Sequence, residues 1–103
     1  MTKANEYKLM LAMRALINSK KPLVALVRGA AVGVTFTQLA LYDFIYCTPE
    51  ARFIAPFMQS TMAPEGGSTY LFPKQFGLRK ANEVSILDKI ITADEAVKCG
   101  FAN

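Results

Sequence analysis

The first part of the chain combines a helical hydrophobic pattern with a short, continuous apolar run. Over residues 6–19, apolar side chains recur at the spacing of one helix face, namely at Leu9, Ala12, Met13 and Leu16. The run Lys20-Lys21-Pro22 ends this predicted helix, because proline disfavours helical geometry in the residue before it. Residues 23–27 are all apolar and rich in valine, which predicts a strand buried on both faces.

A turn of small residues follows this strand and leads into a second helix. Residues 28–33 predict the turn and residues 34–41 a short buried helix, while residues 44–47 and 51–54 predict two further strands. Residues 58–63 predict a loop. The chain therefore alternates helices and strands, which is typical of a layered α/β fold.

The C-terminal part predicts three more helices. The first opens at residues 64–69 and is bounded by Pro73 and Gly77, and the second is marked by apolar residues between positions 81 and 87. Thr92 and Glu95 have the spacing of a capping box, in which each residue satisfies a free backbone donor of the other. The third, last helix is therefore predicted to start at this pair.

Composition narrows the class of protein. The chain has 103 residues, of which 52% are hydrophobic and 19% charged, and a formal net charge of +4. This length fits one domain, and the apolar share excludes a disordered tail. No apolar run reaches the roughly 18 residues that span a bilayer, and residues 1–6 lack the apolar core of a secretory signal. The positive residues are spread along the chain and form no dense basic run, so no nucleic-acid partner is predicted. The net positive charge could attract an anionic ligand or could simply maintain solubility.

Two residue types exclude further kinds of site. The chain contains no histidine, which removes every Ser-His and Cys-His catalytic scheme. Cys47 and Cys99 lie far apart without CxxC spacing, so no zinc site is predicted. Both thiols are expected to be reduced and buried. Two other segments remain as candidates for chemistry.

The first candidate is the connection between the strand at residues 23–27 and the helix at residue 34. Gly29 and Gly33 allow a tight turn, and the first amides of the helix lack partners. Such a helix start attracts negative charge, so the Val34 amide is a candidate donor to an enolate or another oxyanion. The alternative is a plain strand-to-helix connection in which the glycines serve packing. A dinucleotide site is excluded, since the third glycine and the downstream acid of that motif are absent.

The second candidate is Glu65 within Pro64-Glu65-Gly66-Gly67. A carboxylate in apolar surroundings has its charged form disfavoured, which suits a general base, whereas the start of a helix favours the charged form, so the residues give no net direction. The alternative is ordinary chemistry of a helix start, where proline and an acid are common. Asp43 is expected to cap or orient backbone. The other acids lie in contexts that predict solvent exposure, and they are Glu6, Glu50, Glu83, Asp88, Asp94 and Glu95.

Several motifs together resemble the signature of the crotonase (enoyl-CoA hydratase/isomerase) superfamily. The matching segments are Lys21–Gly33, Leu39–Asp43, Ala51–Phe53, Pro64–Gly66, Phe72–Lys74 and Leu87–Gly100. The pattern around Glu65 is most similar to the Δ3,Δ2-enoyl-CoA isomerases of the peroxisomal type. The resemblance implies an α/β chain that forms the central part of a crotonase fold, a spiral of ββα units. Residues 1–103 would be a partial domain that lacks the family's N-terminal strands and C-terminal helices, so that residues 23–27 and 34–41 bury faces against parts absent from this sequence.

The resemblance also implies a site. Glu65 aligns with the single carboxylate of the isomerases, which moves a proton from C2 to C4 of a 3-enoyl-CoA, and the Val34 amide aligns with one oxyanion donor. The positions of the two hydratase glutamates hold Thr37 and Phe57, which favours an isomerase. Substrate contacts are implied for Gly29, Ala31, Gly33, Phe57 and Pro64.

Partners and location follow from the same resemblance. It implies no metal and no cofactor apart from coenzyme A as part of the substrate, no membrane span, and a homo-oligomer that is a trimer or a hexamer. It places the protein in the peroxisome or the mitochondrion, in fatty acid β-oxidation, although residues 101–103 are not a peroxisomal tripeptide and no targeting signal lies in this chain.

Two alternatives to an enzyme stay open. The family's first oxyanion amide lies in an N-terminal half that this sequence does not match, and loss of one donor costs about 10²–10³ in rate. The chain could therefore be a non-catalytic module that binds acyl-CoA or a protein, as in similar domains fused to chromatin-binding modules. The other alternative is a structural piece that assembles with a separate N-terminal part.

Overall fold

Helices and strands alternate along residues 2–103, which are the residues that the computed structural model describes. This confirms the predicted α/β class. None of the helices in this range is long and apolar enough to cross a membrane. In chain order the elements are α1 Lys3–Ile17, β1 Val24–Val27, β2 Ala30–Val32, α2 Val34–Leu39, β3 Phe44–Cys47, β4 Arg52–Ile54, α3 Ser68–Phe76, α4 Leu78–Ile86, β5 Ile91–Thr92 and α5 Ala93–Lys98.

The strands form two small sheets. β1 and β3 pair in parallel, with Val24 opposite Phe44. In the second sheet β4 lies in the middle, parallel to β2 and antiparallel to β5. The turn at Gly29 separates β1 from β2, so one short stretch of chain supplies a strand to each sheet. α2 starts directly after β2 and is thereby held at the end of the second sheet.

Five phenylalanine rings form the centre of the core and join α2, β4 and α3. Phe36 of α2 is fully buried, and its ring centroid lies 4.8 Å from that of Phe72 and 5.5 Å from that of Phe53. Phe76 and Phe101 complete the cluster, with centroids 4.7 Å apart. Each such aromatic pair adds about 0.5–1.5 kcal/mol beyond the area that it buries. The cluster therefore fixes α2 relative to α3. α2 follows the candidate glycine turn, and α3 follows the candidate segment that contains Glu65.

Two strands lie where the hydrophobic pattern predicts none. β2 occupies the second half of the turn predicted at residues 28–33, and β5 precedes the last helix. β2 has three residues and β5 has two. Both strands depend on pairing with β4, and such pairing is not visible in a local pattern.

α3 begins later than the sequence predicts and contains the proline predicted as its boundary. Gly66 and Gly67 have positive φ angles of 64° and 75°, so neither is helical and α3 starts at Ser68. Pro73 lies inside the helix, where it cannot donate a backbone hydrogen bond. Phe72 and Phe76 on either side of it are anchored in the phenylalanine cluster, which offsets that loss.

The prediction that β1 is buried on both faces is wrong for the part of the chain that the structure describes. Ala25 is 8% exposed, but Val24 on the opposite face is 52% exposed and Leu26 81% exposed. Phe44 and Tyr46 of β3 extend the same open face, since a strand alternates its side chains between two sides. No element within residues 2–103 covers this face. α2 buries Phe36 and Leu39 within this chain, while Val34 at its start is 39% exposed.

Local capping predictions are confirmed in part. Asp43 orients backbone as expected, because its carboxylate accepts a hydrogen bond of 2.7 Å from the Leu23 amide. Thr92 caps α5 by accepting from the Glu95 amide at 3.2 Å. The reciprocal half of the capping box is not formed, since the Glu95 carboxylate is hydrogen-bonded to the Thr92 hydroxyl and to lysine side chains instead.

Candidate active site

The start of α2 offers backbone donors without partners. Gly33 has φ 65° and ψ −129°, and its amide donates to the Ile54 carbonyl of β4 at 2.8 Å. The amides of Phe36 and Thr37 donate to the Gly33 carbonyl. Within residues 2–103 the Val34 amide has no acceptor. This is the expected condition of a first-turn amide, and it leaves the Val34 N–H available to an oxyanion.

The start of α3 holds the candidate carboxylate. Glu65 is half-buried, and its carbonyl accepts a hydrogen bond of 3.0 Å from the Ser68 amide, which closes the turn before α3. The two following glycines adopt left-handed backbone angles, which residues with a side chain rarely adopt. Residues 65–67 thus form a tight turn, and Glu65 lies before the first residue of α3.

Gly66 places this turn directly against α2. A Cβ atom on Gly66 would lie 3.0 Å from Thr37 Cβ and closer still to Thr37 Oγ1. Thr37 is fully buried, and its hydroxyl donates to the Val34 carbonyl at 3.3 Å. One chain of contacts therefore runs from the Glu65 turn through Thr37 to Val34. The structure in this way brings the two candidate segments together.

Glu65 lines a cavity of about 450 Å³, which is within the range of small-molecule sites. One wall is the segment 61–65, which includes Met62 and Pro64. The opposite wall is α1, through Glu6, Leu9, Met10 and Met13. Apart from the two carboxylates, the lining side chains are mostly apolar, which suits an aliphatic group beside an acid or base.

The loop before Glu65 is tied to the body of the protein by Asp88. The two carboxylate oxygens of Asp88 accept hydrogen bonds from the Met58 amide at 3.1 Å and the Gln59 amide at 2.8 Å. The Met62 amide donates to the Phe57 carbonyl at 2.8 Å and closes the loop at its other end. These contacts hold residues 58–62, which lead into the cavity wall at residues 61–65.

The other residues implied by the resemblance lie at several places. Ala31 lines a second cavity, of about 380 Å³, together with Arg28, Thr35 and Gln38. Phe57 is buried in the hydrophobic core. Gly29 and Gly33 lie at the two ends of β2. The structure thus brings Pro64 and Glu65 to one cavity and Ala31 to another, while Val34, Gly29, Gly33 and Phe57 line neither of these two.

Sequence reasoning missed that α1 forms a wall of the Glu65 cavity. The apolar stripe of α1 includes Leu9 and Met13, yet no residue of α1 is buried. A stripe of this kind has the same spacing whether it faces a core or a cavity. The available signal was the presence of two methionines at Met10 and Met13, because flexible thioether side chains are common on adaptable binding surfaces.

Four of the acids expected to face solvent have hydrogen-bond or ion-pair partners, namely Glu83, Asp88, Asp94 and Glu95. Asp88 holds the loop described above, and Glu95 lies between Lys80 at 3.2 Å and Lys89 at 3.3 Å. Burial opposes ionisation of Glu95, but the hydrogen bonds from Lys80 and Lys89 outweigh it and lower the pKa of the carboxyl group. None of Lys80, Lys89 and Glu95 lines the Glu65 cavity, so this network serves the packing of α4 and α5.

The thiols are not part of the candidate site. Cys47 and Cys99 are unpaired and half-buried, and burial raises the pKa of the Cys47 thiol, which disfavours the reactive thiolate. Among residues 2–103, no three acidic or cysteine side chains gather in a geometry that could hold a metal ion. The groups that the cavity offers are the half-buried carboxylate of Glu65, the exposed carboxylate of Glu6 and apolar side chains.

Comparisons with known proteins bear on the family and the fold of the chain. A sequence profile of the enoyl-CoA hydratase/isomerase family matches residues 2–103. Over 80 residues the chain is 48% identical to "Enoyl-CoA delta isomerase 3, peroxisomal" of Mus musculus, and over 85 residues 44% identical to "Enoyl-CoA delta isomerase 2" of Homo sapiens. These matches cover 78% and 82% of the chain but 25% and 22% of the two relatives, so the chain spans about a quarter of their length. The crystal structure of an enoyl-CoA hydratase/isomerase from Pseudoalteromonas atlantica T6c superposes with a TM-score of 0.84 and 34% identity, over 87% of the chain and 36% of that structure.

Proposed function

Because the chain belongs to the enoyl-CoA hydratase/isomerase family, with the fold of its solved members, we propose that it forms the acid–base part of an enoyl-CoA isomerase. The substrate is a 3-enoyl-CoA and the product is the conjugated trans-2-enoyl-CoA. Glu65 is the proposed acid and base, and the Val34 amide is the proposed donor to the thioester oxygen. The apolar cavity beside Glu65 holds the acyl chain.

The reaction needs one proton carrier and no co-reactant. The Glu65 carboxylate takes a proton from C2, and the electron pair of that C–H bond moves towards the thioester oxygen to give a dienolate. The protonated Glu65 then returns the proton to C4, and the double bond is left between C2 and C3. A hydrogen bond from the Val34 amide stabilises the negative charge on oxygen between these two steps. The same carboxylate is regenerated at the end.

The observation that carries this proposal is the contact between the Glu65 turn and α2. Gly66 touches Thr37, one helical turn after the free Val34 amide. A base and an oxyanion donor must be held at a fixed separation if one is to take a proton while the other stabilises the resulting charge. The buried contact between Gly66 and Thr37 supplies this rigidity.

A hydratase is less well supported by the same residues. Hydration needs one group to activate water and another to deliver a proton. At the positions where the resemblance places the two hydratase glutamates, Thr37 is fully buried and Phe57 is part of the core, and neither side chain ionises as a carboxylate does. A single carboxylate that shuttles one proton matches this composition better.

The wider setting is part of the proposal. Coenzyme A enters as part of the substrate, and no separate cofactor takes part in the steps above. The name of the mouse relative, "Enoyl-CoA delta isomerase 3, peroxisomal", supports the peroxisome as the location, and fatty acid β-oxidation is the proposed setting. A trimer or hexamer is the proposed assembly of the active protein.

The decisive experiment compares two carboxylates of one cavity. Glu65→Gln should keep acyl-CoA binding and lower the conversion of 3-hexenoyl-CoA, followed by the absorbance of the conjugated product, by more than about 10²-fold. Glu6→Gln is the matched control, because Glu6 lines the same cavity from an exposed position on α1, and it should retain turnover. Full activity of Glu65→Gln would overturn the assignment, and equal loss in both variants would show that two carboxylates act.

The open face of the first sheet favours a second candidate function. Val24, Leu26, Phe44 and Tyr46 form an apolar surface that nothing within residues 2–103 covers, and such surfaces serve contacts between proteins. A non-catalytic module that binds acyl-CoA or a protein would show this surface and need no turnover. Binding of octanoyl-CoA by the wild-type chain, with no conversion of 3-hexenoyl-CoA, would favour this candidate over the isomerase.

A further inference from the structure

The terminal methyl group of Met13 rests in a notch beside the Glu65 turn. A Cβ atom on Gly67 would lie 3.1 Å from Met13 Cε, which is tighter than ordinary van der Waals contact between carbon atoms. Gly67 therefore leaves room for that methyl group by having no side chain. The contact ties Met13 of α1 to the second residue after Glu65.

Met13 also lines the cavity that contains Glu65. Its backbone lies on α1 and its methyl group packs against Gly67 directly before α3, so the side chain links the α1 wall of the cavity to the turn that carries Glu65. Met10 lines the same cavity but is 52% exposed, whereas Met13 is half-buried. Met13 is thus the better placed of these two methionines to close the cavity.

We propose that Met13 is a specificity-determining residue that sets the length of the acyl chain accepted beside Glu65. This inference rests on the proposed function only in taking the ligand to be an acyl-CoA. Methionine is flexible and polarisable, and it fills space next to aliphatic groups without a fixed shape. With its methyl group packed against Gly67, the Met13 side chain limits the space left for an acyl chain beside Glu65.

The proposal makes opposite predictions for the two partners of the contact. Met13→Ala removes Cγ, Sδ and Cε and should lengthen the cavity by about two methylene groups. Gly67→Ala should push the methyl group out of its notch and towards the ligand, and so shorten the cavity. If the Gly67→Ala effect acts through this methyl group, it should disappear once Met13 is alanine.

The test measures calorimetric binding of saturated acyl-CoAs from butanoyl- to dodecanoyl-CoA to the full chain. Met13→Ala should move the best-bound chain about two carbons longer and raise affinity for that longer chain about tenfold. Gly67→Ala should move the optimum shorter, and the double variant should behave as Met13→Ala. Leu11→Ala is the matched control, since Leu11 lies on α1 without lining the cavity, and its length profile should equal that of the wild type.

Other outcomes separate this inference from the isomerase proposal. An unchanged length profile in Met13→Ala, with the circular dichroism of α1 retained, would overturn the role of Met13. A shift in Gly67→Ala that persists when Met13 is alanine would assign the effect to backbone strain at Gly67 and overturn it as well. Absence of acyl-CoA binding by the wild-type chain would also refute it. If the wild-type chain shows no turnover but the variants show the expected shifts in chain-length preference, the isomerase proposal is refuted and the role of Met13 in setting chain length stands.

Discussion

Gly66 lies so close to Thr37 that no Cβ atom fits between them. This contact joins the turn that carries Glu65 to the helix that begins with the Val34 amide. Thr37 is fully buried and its hydroxyl already donates to the Val34 carbonyl, so it has little freedom to move away. A glycine that takes no part in the chemistry therefore holds the turn that carries Glu65 against α2.

Gly66→Ala should destabilise the protein more than an alanine at a glycine with free space. Gly100 is the matched control, because its φ of 86° is also positive but a Cβ there would meet nothing within 4 Å. Gly100→Ala should lower the free energy of unfolding by about 1–2 kcal/mol through backbone strain. Gly66→Ala should lower it by about 1–3 kcal/mol more, through overpacking, as measured by urea unfolding.

A second substitution identifies the cause of the Gly66→Ala loss. Thr37→Ala removes Oγ1, the atom nearest to the added methyl group, and should recover part of the lost stability when combined with Gly66→Ala. Equal losses in Gly66→Ala and Gly100→Ala would contradict the contact as described. So would additive losses in the double variant, because residues in contact are expected to couple.

Val34→Pro should remove the proposed oxyanion donor and leave the helix intact. Val34 is the first residue of α2, where its N–H has no intrahelical acceptor and proline is favoured. The preceding residue is Gly33, with φ 65° and ψ −129°, and glycine escapes the restriction that proline imposes on residues with a Cβ. Turnover of 3-hexenoyl-CoA should fall by about 10²–10³.

Val34→Ala is the control for that substitution. It removes the valine side chain, which is 39% exposed, and keeps the backbone N–H. Turnover in Val34→Ala should stay within a few-fold of the wild type, whereas Val34→Pro should lose it with little change in thermal stability. Equal activity of the two variants would assign no role to this amide.

Asp88 should control the order of the loop that leads to Glu65. Its carboxylate accepts from the amides of Met58 and Gln59, and its own φ of 53° is unusual for a residue other than glycine. Asp88→Gly removes the carboxylate and relieves this backbone angle at the same time. Hydrogen exchange at Met58 and Gln59 should therefore accelerate in Asp88→Gly, while exchange in the core strand β4 should stay slow.

Asp88→Asn gives the complementary control for the loop. An amide side chain keeps one carbonyl oxygen that can accept one of the two hydrogen bonds, so exchange should lie between that of the wild type and that of Asp88→Gly. Unchanged exchange at both amides in Asp88→Gly would show that the turn is held by its own backbone contacts, such as that between Met62 and Phe57.

The sequence predicts those parts of the fold whose signals are local. Strands β1, β3 and β4 and helices α1, α2 and α5 lie close to where the hydrophobic pattern and the caps place them. The two short strands are missed because each exists through pairing with β4. The start of α3 is missed because Pro64 and Glu65 resemble a helix start, while positive φ angles at Gly66 and Gly67 delay the helix.

The same difference between local signals and long-range contacts applies to the candidate site. Glu65 and Val34 stand out from the sequence because an acid next to two glycines and a glycine turn before a helix have local signatures. The contact of Gly66 with Thr37 and the wall formed by Met13 depend on residues far apart in the chain. The role of Asp88 is equally non-local, since its partners lie 29 and 30 positions away. No local pattern of charge or hydrophobicity reports such contacts.

Glu95 should make the stability of the protein depend on pH in the acid range. Burial of its carboxyl group opposes ionisation, but hydrogen bonds from Lys80 and Lys89 outweigh this and hold the pKa below its ordinary value of 4.5. A carboxyl group whose pKa is lower in the folded state binds fewer protons there than in the unfolded state. Its contribution to stability is therefore present above pH 4.5 and is lost as the pH falls through the lowered pKa.

Glu95→Gln should abolish this part of the pH dependence. Its free energy of unfolding should be lower than that of the wild type at neutral pH and should converge with it as the pH falls below 4.5. Asp94→Asn is the control on the same helix, because Asp94 and Lys98 form a pair in which both side chains are about three-quarters exposed, and such pairs contribute little. Urea unfolding at several pH values measures both. Parallel pH curves for the wild type and Glu95→Gln would show that the two lysines do not stabilise the ionised form of Glu95.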